Sequence, residues 1–189
     1  MSTPSLLGER YLMEPLGSSH DRSLFSSGEV ALDRYLRQQA SQDGRRKVAS
    51  VFVAVEKASG AVHGFYTLSM ASVLLDRLPK PLARKLPRYP SIPAVRLGRL
   101  AVHKDARGQG LGAHLLMDAM ALSLRVEVAW AVFLVDSKND SSSSFYTHFG
   151  FQSFTDERGS LFLIRKTIEP LFIDTCPAQA YTYICPGLD

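Results

Sequence analysis

Residues 95–116, VRLGRLAVHKDARGQGLGAHLL, read as a strand, a glycine-rich loop and the start of a helix. The loop holds Arg107, Gly108, Gln109, Gly110, Leu111 and Gly112 between an apolar run and an amphipathic one. Glycines bring backbone close to a ligand without a Cβ in the way. The unpaired N–H groups of the following helix's first turn add donors and the positive end of the helix dipole. A diphosphate suits such a place. Two other glycine loops are excluded: a Walker A loop needs Gly-Lys-Ser/Thr at the helix entry and the dinucleotide fingerprint needs G-x-G-x-x-G, whereas the spacing here is R-x-x-G-x-G with no lysine following.

Downstream of the loop, residues 112–124 carry Leu115, Leu116, Ala119, Met120 and Leu122 as one helical face. Residues 130–135 form a short, nearly continuous apolar strand of the kind buried on both sides. The polar stretch DSKNDSSSS, 136–144, enters a short helix containing Phe145, Tyr146 and Phe149, which Gly150 stops. A last antiparallel pair is expected at 151–154 and 161–165, across a turn at 156–159.

Upstream, 11–16 is a candidate first strand. A helix opens at 25–29, with Val30, Ala31, Tyr35, Leu36 and Ala40 on its inner face and Asp33, Arg34, Arg37 and Gln38 outside. The stretch 41–47 breaks it. Residues 48–56 and 61–70 form a hairpin turned at 57–60. Between 74 and 93 stand Pro79, Pro81, Pro87, Pro90 and Pro93, too many for a long helix or a central strand, leaving one short helix over 81–86.

At 189 residues, with 46% hydrophobic and 21% charged side chains, the chain has the size and composition of one globular domain with a sizeable core. No internal repeat or interdomain linker divides it. No apolar run approaches the roughly 20 residues of a membrane helix, and the N-terminus has no basic start followed by an apolar core. The expectation is a cytoplasmic protein with no membrane partner. The two cysteines, Cys176 and Cys185, are expected to stay reduced, and no metal-ligand set is apparent. A net charge of +4 permits an anionic partner without establishing one.

The R-x-x-G-x-G loop after a strand, followed at the expected distance by Phe145-Tyr146-Thr147-His148-Phe149-Gly150-Phe151, resembles the GCN5-related N-acetyltransferase (GNAT) family over residues 25–166. A narrower likeness lies in FSSGEVALDRYLRQQASQDGRRKVASVFVAVE, GFYTLS, KLPRYP and GRLAVHKDARGQGLG. These are similar to GNAT toxins of type II toxin–antitoxin modules, which acetylate the α-amino group of aminoacyl-tRNA, stop translation and are neutralised by a ribbon-helix-helix antitoxin. The resemblance implies an α/β (α+β) fold: a single GNAT domain over 1–168, with a mixed, mostly antiparallel sheet flanked by helices and a splayed strand pair that binds acetyl-CoA. A tail of unknown role occupies 169–189. It implies acetyl-CoA as co-substrate, no metal, and a homodimer. The run Ser141 to Ser144 departs from the charged or alanine-rich helix entry expected of the family.

Site residues follow from the same match. Tyr146 is the expected hydrogen-bond or proton donor to the departing thiolate, a tyrosine pKa of about 10 standing against about 8.5 for a thiol; the alternative is an aromatic packing residue. Leu100, Ala101 and Val102 would meet the pantetheine arm through their backbone, as an added strand. The loop from Arg107 to Gly112 would hold the diphosphate, with Asn139 and Phe145 near the arm. An α-amine at about 7.7–8.0 is partly neutral near physiological pH and relaxes the need for a base. Asp136 or Glu127 could assist through water, while His103 and His148 read as structural or solvent-facing. The cations Arg45, Arg46, Lys47, Lys80, Arg84, Lys85 and Arg88 are candidate phosphate contacts for tRNA. Two other readings stay open: acetylation of a small amine or protein N-terminus, and a non-catalytic regulator that senses acetyl-CoA.

Overall fold

A computed structural model describes residues 6–154 and 159–175. The turn expected at 156–159 falls mostly outside these residues, and Cys176 and Cys185 lie outside them. In chain order the elements are α1 (Leu6–Arg10), β1 (Tyr11–Pro15), α2 (Val30–Arg34), a π-helical turn (Tyr35–Gln39), α3 (Ala40–Arg45), β2 (Ser50–Glu56) and β3 (Val62–Leu74). There follow α4 (Lys80–Ala83), β4 (Ser91–Val102), α5 (Leu111–Arg125), β5 (Val132–Asp136), α6 (Asp140–His148), β6 (Gln152–Ser153), β7 (Ser160–Ile164) and α7 (Arg165–Ile168). The strands form one seven-stranded sheet in the order β1-β2-β3-β4-β5-β7-β6. Every pairing is antiparallel except that of β4 with β5. That one parallel pair is joined through α5, whose length lets the chain cross back.

Strand alternation divides the core between the two faces. Tyr66 of β3 belongs to the cluster under α5, with Leu111, Leu115, Leu116, Ala119, Met120 and Tyr146. Its neighbour Phe65 belongs to the opposite cluster, with Phe25, Tyr35, Leu36 and Ala101. The Tyr66 hydroxyl donates to the Asp118 carboxylate at 2.5 Å, tying β3 to α5. On α5 the last buried position is Ser123 and not Leu122, which is half-buried, because a 3.6-residue period continues Leu116, Ala119 and Met120 onto Ser123. Past α7 the chain makes 3₁₀ turns over Glu169–Thr175, with Ile168 buried and Phe172 packed on the α5 cluster.

Several local expectations are corrected. The first helix buries Tyr35, Leu36 and Ala40 but exposes Val30 and Ala31, and Asp33 lies inside. The wider π-helical winding at 35–39 shifts the facing residues, and Asp33 accepts hydrogen bonds from the Ser27 N–H (2.7 Å) and hydroxyl (2.6 Å). The helix is not broken at 41: it runs through Arg45, and the chain turns at Lys47, whose φ of 59° is left-handed. Pro93 sits inside β4, a central strand. Its carbonyl accepts from Ala131 on the β5 side, so its missing N–H also faces that side, ahead of the first β4–β5 pair at Ala94 and Val132. No ladder bond is lost there.

Gly64 of β3 has no room for a side chain: a Cβ would stand 2.9 Å from Leu115 Cδ1 and 3.3 Å from the Ala101 carbonyl oxygen. Gly64→Ala is expected to destabilise the protein by about 1–3 kcal/mol through overpacking, read as a fall in the midpoint of urea unfolding.

Candidate active site

The sheet opens at its centre. β4 and β5 pair from Ala94 with Val132 to Leu97 with Val135, and beyond Leu97 no residue of β4 pairs with β5. The split begins at a bulge: Thr67 and Leu68 of β3 face Arg99 and Leu97, leaving Gly98 over. A Cβ on Gly98 would lie 3.1 Å from the Thr67 hydroxyl oxygen, so a glycine lets the strand bulge here. The His103 N–H donates to the His63 carbonyl on β3 at 2.7 Å. By alternation Ala101 also turns its backbone groups toward β3, and Leu100 and Val102 turn theirs toward the gap. A cleft of about 690 Å³ occupies the gap and continues over the start of α5 and the start of α6.

The glycine loop forms one end of this cleft. Gly108 and Gly110 have φ of 71° and 83°, left-handed values that glycine adopts at little cost, and Gly110 caps α5. Gly108, Gly110, Leu111 and Gly112 line the cleft, so the free N–H groups of the first α5 turn are presented to it. A Cβ on Gly108 would meet nothing within 4 Å, and one on Gly112 only the side chains of Val102 and Phe145 at 3.7–3.8 Å. That backbone cradle fits a diphosphate. Arg107 also lines the cleft and donates to the Ser27 carbonyl, bracing the loop against the entry of α2. Gln109 is the exception among the loop residues. Its side chain turns out of the cleft, accepting from Arg10 at 2.7 Å and donating to the Asp105 carbonyl at 2.9 Å.

Tyr146 enters from α6, near the split. The serine run that departs from the family pattern starts this helix in a capping box: Asn139 accepts from the Ser142 N–H at 2.8 Å, and the Ser142 hydroxyl caps the Asn139 N–H. Asn139 lines the cleft, but its side-chain oxygen is committed to the cap. Tyr146 is 6% exposed and packed edge-on to Phe145 and beside Phe151. Its hydroxyl makes no hydrogen bond among the described residues, yet no fully buried side-chain polar atom there lacks a partner. The hydroxyl therefore reaches the cleft. Burial, and secondarily the Asp136 carboxylate, push the phenol up to about 12, so it is a proton-bearing donor throughout the physiological range and no base.

Tyr35 is also pushed up to about 12, by burial and by its hydrogen bond to Asp43. Both tyrosines have folded values above the unfolded one, so their contribution is complete below about pH 10 and is lost as pH rises through about 12. Chemical denaturation should give a lower stability at about pH 11.5 than at about pH 9, with the loss reduced in Tyr35→Phe.

Other cleft residues were not legible in the sequence. Ser27, Glu29 and Leu32 arrive from the α2 entry, Gly98 and Arg99 from the bulge, and Lys138 from the turn before α6. A lone glycine inside the strand pattern LGRL was the one local sign. The Arg99 guanidinium lies 3.7 Å over the Tyr35 ring. Asp136 lines the cleft, accepting from the Ser160 hydroxyl at 3.1 Å with Arg96 at 3.8 Å, while Glu127 is exposed and away from it. His103 stacks on His63, and His148 is exposed at the end of α6. The seven cations Arg45, Arg46, Lys47, Lys80, Arg84, Lys85 and Arg88 are all exposed and none lines the cleft. Among the described residues, no cluster of three or more His, Cys, Asp or Glu could hold a metal, and no helix is long and apolar enough to cross a membrane.

Comparison with known proteins places this geometry. The sequence profile of the acetyltransferase (GNAT) domain matches residues 47–153. The tRNA-acetylating toxin of Mycobacterium tuberculosis (strain ATCC 25618 / H37Rv) is 33% identical over 161 residues, covering 84% of this chain and 95% of that protein. A tyrosine-to-phenylalanine mutant of KacT superposes with a TM-score of 0.81 at 29% identity, over 86% of this chain and 99% of that one. AtaT, complexed with acetyl-methionyl-tRNAfMet, superposes at 0.79 with 31% identity, over 86% and 99%. With its sheet split beside a glycine loop and a helix-borne tyrosine, the chain belongs to the GNAT acetyltransferases, in the group that includes these toxins.

Proposed function

We propose that this protein transfers acetyl from acetyl-CoA to the α-amino group of an aminoacyl-tRNA and so blocks translation, as the toxin of a type II module. The observation that carries the reading is a free, protonated Tyr146 hydroxyl in the cleft shared with the glycine loop and the unpaired edge of β4. Acetyl-CoA supplies an activated thioester. The loop from Gly108 to Gly112, braced by Arg107, holds the diphosphate, and the backbone of Leu100 and Val102 orients the amide-rich arm. Tyr146 donates to the sulfur as the thiolate departs. With the phenol at about 12 and a thiol near 8.5, outright proton transfer is uphill by about 5 kcal/mol. The hydroxyl therefore acts as a hydrogen-bond donor, and the thiolate takes up the proton that the attacking amine releases.

The seven exposed cations dock the acceptor by phosphate contacts, outside the cleft. The cell compartment is the cytoplasm, and the partners are a ribbon-helix-helix antitoxin and a second copy of the chain. Labelled acetyl from acetyl-CoA should appear on a bulk pool of aminoacyl-tRNA and not on uncharged tRNA. Label on free amines or peptides alone would replace the tRNA reading with a small-amine one. Over pH, kcat/KM should climb through the amine pKa near 8 and show no descending limb from Tyr146 until pH nears its value of about 12.

A further inference from the structure

Past the bulge, β4 sends alternate side chains to opposite faces of the sheet. Leu100 and Val102 pack with the α5 cluster. Ala101 belongs to the cluster under α2 and α3, and Arg99 lies over the Tyr35 ring on that same side. The cleft thus has two halves. One carries the glycine loop, and the other, lined by Glu29, Leu32 and Arg99, remains for the acceptor.

Arg99 is built to be rigid there. Its guanidinium stacks 3.7 Å over the ring of a tyrosine that is 3% exposed and whose hydroxyl donates to Asp43 at 3.0 Å. Among the described residues it makes no ion pair and no hydrogen bond, although Glu29 and Asp136 line the same cleft. The Asp136 carboxylate is engaged by Arg96 and Ser160 instead. A guanidinium held on an aromatic face, with its donors free and no carboxylate partner, awaits an anion.

Which anion follows from the acceptor. In an aminoacyl-tRNA the α-carboxyl group is esterified, so it carries no charge for Arg99 to bind. The nearest negative charge to the reacting amine along the chain is the phosphodiester on the 5′ side of the terminal nucleotide. We infer that Arg99 binds this phosphodiester and thereby sets the α-amine beside the thioester. The inference rests on the reading of the acceptor as aminoacyl-tRNA. It makes Arg99 a residue that selects nucleotide-borne over free amino acids, distinct from the exposed cations that dock the body of the tRNA.

The test compares wild type with Arg99→Gln and Arg99→Lys. Three acceptors carry the amino acid that the wild type labels in a bulk charged pool: charged tRNA, the aminoacyl group in amide linkage on the CpA dinucleotide, and the same group on adenosine, which lacks the phosphodiester. Arg99→Gln should raise KM for the dinucleotide about 30-fold, as for loss of a charge-assisted hydrogen bond. It should leave the acetyl-CoA Kd unchanged, and the loss on the adenosine acceptor should be much smaller than on the dinucleotide. On charged tRNA it should reduce the slope of log KM against log salt by about 0.7–0.9. Arg99→Lys, a point charge without the fork, should fall between. An unchanged salt slope on charged tRNA, an equal loss on dinucleotide and adenosine, or a weakened acetyl-CoA Kd would overturn the assignment. If the wild type labels no charged tRNA in the bulk pool from which that amino acid is chosen, the aminoacyl-tRNA reading itself fails, and the inference with it.

Discussion

Tyr146→Phe should lower kcat by about a hundred- to a thousand-fold, the range for removing one positioned donor from a charge-developing transition state. Three features make the experiment clean. The hydroxyl has no partner among the described residues, so its removal leaves no buried group unsatisfied and should shift Tm by no more than about 2 °C. The ring stays packed on Phe145 and Phe151, and it faces the cleft beyond the diphosphate loop, so acetyl-CoA binding should persist. The measurement is kcat with labelled acetyl-CoA and charged tRNA, alongside isothermal titration with acetyl-CoA. Retained activity with an intact fold would return Tyr146 to the role of an aromatic packing residue and remove the chief argument against a non-catalytic, acetyl-CoA-sensing protein.

Gly112→Val should weaken acetyl-CoA binding by about 100-fold or more while leaving the fold in place. The residue is the second of α5 and does not need left-handed backbone, so a branched side chain is tolerated by the helix itself. Its Cβ would make only ordinary contacts, 3.7–3.8 Å from Val102 and Phe145. The γ-methyls must then occupy the cleft beside the first-turn N–H groups. Loss of two hydrogen bonds to a charged phosphate, at about 1.5–3 kcal/mol each, gives that magnitude. Titration calorimetry reads the Kd and thermal unfolding reads the fold. Near-normal affinity would mean that the diphosphate does not lie against this turn. Gly110→Ala differs in kind, because φ is 83° there and a Cβ would approach Leu7 at 3.3 Å; strain is built in whatever the ligand does.

The loop and the tyrosine helix were legible because each is a local grammar: glycines where backbone must approach a ligand, apolar residues at 3.6-residue spacing, a glycine at the helix end. The same holds for the hairpin of β2 and β3, whose alternation needs only neighbours along the chain. Expectations failed where a distant partner decides the local conformation. Val30 and Ala31 read as core, yet a π-helical turn fixed by Tyr35 and Leu36 exposes them and leaves Asp33 to be satisfied by Ser27. Pro93 read as a strand breaker, yet its bare nitrogen faces the side where β5 has not begun.

From the sequence alone came the single mixed sheet and the glycine loop, because short-range periodicity and glycine placement carry them, while Tyr146 was singled out by the resemblance of its helix to the family motif. Only the tertiary structure decided which groups share the cleft. The bulge at Gly98 reverses the phase of β4, so that Leu100 and Val102 turn their backbone to the gap, and it swings Arg99 onto Tyr35, a residue 64 positions earlier in the chain. That juxtaposition depends on strand register and on the helix packed across the sheet. Both are set by burial summed over the whole core, which no window of sequence contains.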